Sequence, residues 1–335
     1  MPFTTIVDKD LRVKVPDQYV KALNLHEGDA LTLDIVPLMG GKGFKQIEAD
    51  LGFAQEYEVS MNTLHHYLPM WMRNFKANLP HFVKDAKSFV DIPPAEKKKC
   101  VVIANGPSLY ETDLSPLKNF DGTVVSTNKP LKHLMENGVV PQWVAVLDAE
   151  DIVMQSFDHD IVRENISHML GVLMPTTTHP KVVEFALKHM GKDKIFWSNP
   201  HFSDAIAPNV CETLTSITTI PSCEHGGNVG TFSYLMAIRP LYCDPIGLLG
   251  FDLSLRPSPK WTQEQTVHYR FFYIPRTNET YAMNPAFEYY IARLINLWSI
   301  ASERQSTRTV NLTPHGPLNA VIGLQFKTLE EFCKD

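Results

Sequence analysis

The sequence predicts an α/β fold with a doubly wound, mainly parallel sheet, preceded by a small β-rich unit and a helical connector. Three observations predict it. From Cys100 onward, short runs of apolar β-formers alternate with amphipathic helical stretches, the pattern of strands buried on both faces and joined by crossover helices. Several runs stop abruptly at polar or small residues, as in C-V-V-I-A-N-G-P-S-L, V-A-V-L-D and G-L-L-G-F-D. The chain has 335 residues, 44% hydrophobic and 20% charged, which is ample for a large core.

The elements follow in order. Within residues 3–37, runs 3–7 and 11–15 read as strands around Asp8-Lys9-Asp10, 18–23 as a short helix opened by Pro16-Asp17, and 30–36 as a third strand. The glycines of P-L-M-G-G-K-G-F-K mark a linker. Residues 46–90 are helical in character, with Tyr67, Met70, Trp71, Phe75, Leu79 and Phe82 forming an apolar stripe that packs on a core. D-I-P-P-A-E-K-K-K breaks that helix with two prolines and a charge run. The expected units are 1–38, 39–98 and 99–335.

In the third unit, strands are expected at 101–104, 122–126, 143–147, 169–174, 194–197, 245–250 and 309–312. Helices are expected from 107 to 117 and at 131–137, 181–189, 228–238 and 286–302. Residues 256–285 are poorly periodic and read either as a functional lid or as a solvated loop.

Ligands of open parallel sheets bind outside the carboxyl ends of the strands. Position therefore selects Asn105, Ser108, Asn128, Asp148, Thr176 and Asp252. The turn Asn105-Gly106-Pro107-Ser108 can offer backbone N–H groups to an anion, or can be a plain strand-to-loop turn. Asp148 and Asp252 either cap the following turn or meet a divalent cation with its phosphates. A second small-residue turn, His225-Gly226-Gly227-Asn228, precedes an apolar helix and suits either anion approach or close packing. Arg270 and His268 lie in the unperiodic segment, where positive charge suits an anionic substrate. Neither a Walker loop nor G-x-G-x-x-G occurs.

Net charge is −6, which argues against DNA as the main ligand. No apolar run of 18 residues occurs, so no membrane span is expected. The N-terminus lacks the apolar core of a signal peptide. Five cysteines without C-x-x-C spacing read as reduced thiols, and the expected location is cytoplasmic.

Two resemblances refine these expectations. The row R-V-K-V-P, K-A-L-N-L and E-G-D in residues 1–38 resembles the AbrB/SpoVT swapped-hairpin domain, which implies a homodimer through interleaved hairpins. From 71 to 318 the ordered motifs W-M-R-N-F-K-A-N-L-P-H, V-V-I-A-N-G-P-S-L, L-M-E-N-G-V-V-P-Q-W-V-A-V-L-D, G-G-N-V-G, I-G-L-L-G-F-D-L and T-V-N-L-T-P-H-G-P-L resemble the MptE-like domain. That family is named for a 6-hydroxymethylpterin diphosphokinase and also occurs in motor-associated flagellin glycosylation proteins. N-G-P-S-L and the later T-N are similar to a bacterial sialyltransferase family as well. Ala104 stands where those turns often carry a glycine.

The resemblance implies a Rossmann-like, nucleotide-dependent transferase. By that resemblance Asn105, Gly106, Pro107, Ser108 and Asn128 would line the nucleotide; by position Gly226, Gly227 and Asn228 would join them, and His225 and Arg270 would meet substrate. By their strand-end positions Asp148 and Asp252 would be catalytic together with His268, with Mg2+ held near Asp148 or Asp252. The first expectation is diphosphate transfer from ATP to a hydroxyl-bearing acceptor. The alternatives are glycosyl transfer from a nucleotide-activated, sialic-acid-like sugar and a non-enzymatic nucleotide-sensing dimer.

Overall fold

The computed structural model describes residues 53–83, 85–202, 209–258, 261 and 269–334. The AbrB-like unit, the glycine linker and His268 lie outside them. Helix α1 (Phe53–Phe82) leads into the short edge strand β1 (Lys87–Ser88). The alternating part comprises β2 (Cys100–Ile103), α2 (Pro107–Glu111), β3 (Thr123–Thr127), α3 (Leu131–Glu136), β4 (Trp143–Ala145), α4 (Asp160–Asn165), β5 (Gly171–Pro175), α5 (Pro180–His189) and β6 (Ile195–Pro200). It continues with α6 (Val210–Thr218), β7 (Ser222–Cys223), α7 (Val229–Ile238) and β8 (Ile246–Leu249). A hairpin, β9 (Arg270–Ile274) and β10 (Glu279–Met283), precedes the long helix α8 (Pro285–Gln305). The elements β11 (Thr309–Asn311), β12 (Gln325–Phe326) and α9 (Leu329–Lys334) close the chain.

The main sheet runs β1-β6-β5-β4-β3-β2-β8-β11-β12, with β7 also paired to β6. Every pair in it is parallel. The chain moves outward from β2 to β6 and then returns to lay β8 on the free side of β2. The topological switch point is therefore the β2/β8 junction, where α/β sheets hold their ligands.

Successive strand residues face opposite helical layers. Cys100 and Val102 pack with Phe232, Met236 and Leu294 from α7 and α8. Val101 and Ile103 pack with Leu109, Leu134 and Phe332 on the other side. Burial on both faces explains why these strands read as continuous apolar runs rather than alternating ones.

Three regions differ from the sequence reading. After Glu111 the backbone does not continue as α-helix; Asp113 receives the Ser115 N–H and hydroxyl in a tight turn, and a 3-10 segment follows at Ser115–Asn119. The unperiodic segment holds the β9–β10 hairpin, whose strands bury Phe272, Ile274, Tyr281 and Met283 in a core of their own. The helical reading of 46–90 ends early: α1 stops at Phe82, β1 follows and pairs with β6, and α1 lies against α5 and α8.

Candidate functional site

Two clusters occupy the carboxyl edge. At the switch point, the turn after β2 is tied to the turn after β8. Gly106 N–H donates to Gly250 O at 2.8 Å. Ser108 Oγ–H donates to Asp252 Oδ2 at 2.7 Å, and Ser108 N–H faces both carboxylate oxygens at 3.3 and 3.4 Å. The anion seated at the start of α2 is thus the protein's own Asp252. Gly106 has an ordinary φ of −72°, so its small size serves close approach: a Cβ there would lie 1.8 Å from Asp252 Oδ2. Burial pushes the Asp252 carboxyl pKa up, while the Ser108 donors and the nearby His315 pull against it. Pro107 opens α2, and exposed Asn105 accepts from the Tyr110 hydroxyl at 2.7 Å.

The second cluster lies beyond β3 and β4. Asn128 is buried and donates to Ser156 Oγ at 3.0 Å. Asp148 keeps its side chain open to solvent, yet the surrounding protein raises its pKa, with Glu150 adding to the rise and Lys129 opposing it. Tyr67 from α1 and Tyr290 from α8 stand beside Asp148: burial raises both phenol pKa values, and Asp148 raises both further. Tyr67 stacks on Trp71 at 6.0 Å between centroids, and Trp71 meets Phe202 at 5.7 Å. The region therefore places carboxylates beside aromatic faces.

α1 roofs this region through two buried amides one turn apart. Asn74 Nδ2 donates to Ala149 O and Thr177 O at 2.8 and 3.1 Å. Asn78 Nδ2 donates to Thr176 O and Thr178 O at 3.1 and 2.7 Å. Asn74 Oδ1, Thr127 Oγ1 and Thr178 Oγ1 are buried here without a hydrogen-bond partner among the described residues. Buried polar atoms are ordinarily satisfied, so their gathering at one edge suits a polar ligand.

The second glycine-rich turn is closely packed. Gly226 and Gly227 have φ of +63° and +85°, and a Cβ on Gly227 would meet Tyr289 and Tyr290 at 2.7 and 3.0 Å. Asn228 is the N-cap of α7, accepting from Thr231 N–H at 3.0 Å and donating to Thr231 Oγ1 at 2.9 Å. The ring of His225 packs edge-on against Phe232, and burial, then the nearby His201, depresses its pKa to about 3. Thr176 donates inward to Asn199 Oδ1 at 2.9 Å. Arg270 is exposed and pairs with Glu288 at 3.3 Å.

Asp148 and Asp252 do not meet. β3 and β2 separate their strands, about 14 Å at roughly 4.8 Å per strand, and the Asp252 oxygens are turned onto Ser108. A magnesium ion shared by the two does not fit. Among the described residues no group of three or more His, Cys, Asp or Glu is arranged to hold a metal ion. Sequence reasoning missed Tyr290, Glu150 and Lys129 as partners of Asp148, and it read Tyr67 only as core. The sole local signal was the acidic row D-A-E-D after β4.

A parallel doubly wound sheet, with its candidate site at the switch point and the adjoining strand ends, defines an α/β protein of the Rossmann-like class. Within that class the chain belongs to the MptE-like family. The family's sequence profile, described as 6-hydroxymethylpterin diphosphokinase MptE-like, matches residues 73–257. From R-N-F-K-A-N-L-P-H at Arg73 to G-F-D-L the ordered motifs fall within that match, and T-P-H-G-P-L lies beyond it. Among solved structures the chain is similar to the MAf glycosyltransferase from Magnetospirillum magneticum AMB-1, with a TM-score of 0.55 and 14% identity. The similarity covers 77% of this chain and 38% of that one, so this chain spans well under half of the neighbour's length. At that identity the likeness concerns the fold. No curated protein sequence matches the chain. No described helix is long and apolar enough to cross a membrane.

Proposed function

We propose that the chain is a nucleotide-dependent transferase acting on a hydroxyl-bearing acceptor. The observation that carries this reading is Asp148 at the carboxyl end of β4, exposed to solvent, raised in pKa, and close enough to Tyr67 and Tyr290 for its charge to raise both phenols. A strand-end carboxylate of this kind hydrogen-bonds a ribose diol in nucleotide-binding sheets, and the Tyr67–Trp71 wall suits a stacked base. The phosphates would then run from β4 across β3 and β2 toward the switch point, past exposed Asn105.

Of the two transfer chemistries, the geometry favours glycosyl transfer from a nucleotide-activated sugar. In diphosphate transfer the acceptor oxygen attacks the β-phosphorus of ATP and AMP leaves, a displacement assisted by magnesium on one or two carboxylates, and Asp148 and Asp252 stand too far apart to hold one ion together. Diphosphate transfer from ATP remains the second reading, supported by the family's description. A two-armed turnover assay tests both. One arm supplies a CMP-activated sialic-type sugar with a hydroxyl acceptor and follows CMP. The other supplies ATP, magnesium and hydroxymethyl-dihydropterin and follows AMP. Release in one arm, with donor KM raised by about 10- to 100-fold in Asp148→Asn, is the expected result, matching one hydrogen bond to a charged group of about 1.5–3 kcal/mol. No release above a no-enzyme control in either arm sinks the reading.

A further inference from the structure

Four segments converge at the switch point on a single histidine. Glu111 is the last residue of α2, Asp252 and Arg256 follow β8, Glu279 and Tyr281 lie on β10, and His315 follows β11. The imidazole stands between two carboxylates, with Nδ1 2.8 Å from Glu279 Oε2 and Nε2 3.3 Å from Glu111 Oε2. The two contacts differ in kind. The Tyr281 hydroxyl, on a buried residue, donates to the same Glu279 oxygen and steadies it. Glu111 is committed elsewhere, since Arg256 donates to both its oxygens at 2.9 and 3.1 Å. Nδ1 is thus the anchored side of the ring, and Nε2 is the side a substrate oxygen can approach.

The loop that carries this ring is fixed to the switch point. Thr313 Oγ1 accepts from Phe251 N–H and donates to Leu248 O, both at 3.0 Å. Gly316 lies so close that a Cβ would sit 2.4 Å from Asp252 O. Arg276 Nη2 donates to Pro314 O at 3.2 Å. The groups facing the ring are therefore Glu111, Asp252, Arg256, Glu279 and Tyr281, with Arg276 on the adjoining carbonyl. About a quarter of the His315 side chain, 26%, is exposed.

We propose that His315 is the acid–base residue of the transferase site; the proposal rests on the transferase reading above. Glu279 accepts the Nδ1–H and fixes the tautomer. As the acceptor oxygen bonds to the transferred group, its proton passes to Nε2. The bond between that group and the nucleotide phosphate oxygen breaks, and the electron pair leaves on the phosphate. Glu111 then receives the new Nε2–H and steadies the imidazolium until the proton is released.

The test combines turnover with ring 15N NMR of the full chain. In the productive arm of the assay, His315→Gln keeps the donor dissociation constant within about twofold and loses about 100-fold or more in kcat, the usual share of a general acid–base. It also removes the acid limb of the kcat/KM pH profile, which a structural role would leave in place. Glu279→Gln folds around an intact histidine and shifts that limb. A His315→Gln enzyme holding more than about a third of wild-type kcat overturns the proposal, as does an unshifted limb in Glu279→Gln. Should wild type prove inactive with both donors, the His315 ring signals are followed on adding ATP and CMP. Shifted signals keep His315 at the ligand and put the failure on the transferase reading alone; unmoved signals sink both.

Discussion

Replacing Gly106 with alanine tests the view that this glycine serves the fold rather than a ligand. Its φ of −72° is one that alanine adopts freely, so the cost lies in what the new methyl meets. It would meet Asp252 Oδ2 at 1.8 Å and Gly250 O at 2.4 Å, where real Cβ contacts stay above 3.0 Å. The carboxylate would have to retreat by more than an ångström, breaking the 2.7 Å bond from Ser108. The Gly250 carbonyl cannot yield cheaply, because it is backbone held by Gly106 N–H. Overpacking of this kind costs about 1–3 kcal/mol, and a lost hydrogen bond to a buried charge about 1.5–3 kcal/mol. One displacement causes both, so about 3 kcal/mol is expected in total. At roughly 2–4 °C per kcal/mol for a domain of this size, Tm falls by about 6–12 °C. The assay is thermal unfolding followed by circular dichroism, without ligand. Adding Asp252→Ala to Gly106→Ala should return part of the loss and not all, because Gly250 O remains in the way. A Gly106→Ala protein melting within about a degree of wild type refutes the packing argument.

Two further outcomes follow from the same geometry. Asn78→Ala removes the donor to Thr176 O and Thr178 O and should cost about 2–3 kcal/mol in chemical denaturation, with faster amide exchange along α1; Lys76→Ala, exposed on the same helix, should change neither. His225 is held neutral, with its pKa depressed to about 3 by burial and then by His201. Its contribution to stability is therefore full above the unfolded value near 6.5 and is lost as pH falls toward about 3, at up to about 1.4 kcal/mol per pH unit. His225→Gln should flatten that part of the stability–pH curve; an unchanged slope between pH 6 and 4 (roughly the middle of the window) would rule the residue out as its source.

The architecture was legible because burial on both faces writes itself into the strands. C-V-V-I, T-V-V-S-T and I-G-L-L each became the strand their apolar runs announced, and Asn228, read as the first residue of its helix, is the N-cap of α7. The side-chain partnerships were not legible. Ser108 and Asp252 are 144 residues apart, and nothing local to either says which polar group the other will find. The role of α1 was hidden for a different reason. Its aromatic stripe looked like any core-facing helix, whereas Asn74 and Asn78 within that stripe carry the docking. The hairpin escaped notice because its strands, joined by Pro275-Arg276-Thr277-Asn278, bury their residues unevenly rather than in clean alternation.

The two asparagines of α1 also bear on where this protein can be cut. Composition alone invites trimming at the lysine run before Cys100, since the alternating pattern starts there. A fragment begun at that point would lose β1 from the margin of the sheet and uncover the carbonyls of Ala149, Thr176, Thr177 and Thr178. It would also lose Tyr67 from beside Asp148. A fragment that keeps the sheet's partners therefore includes α1 from before Tyr67 onward, and a gene fragment drawn at the proline break would yield a sheet without its roof.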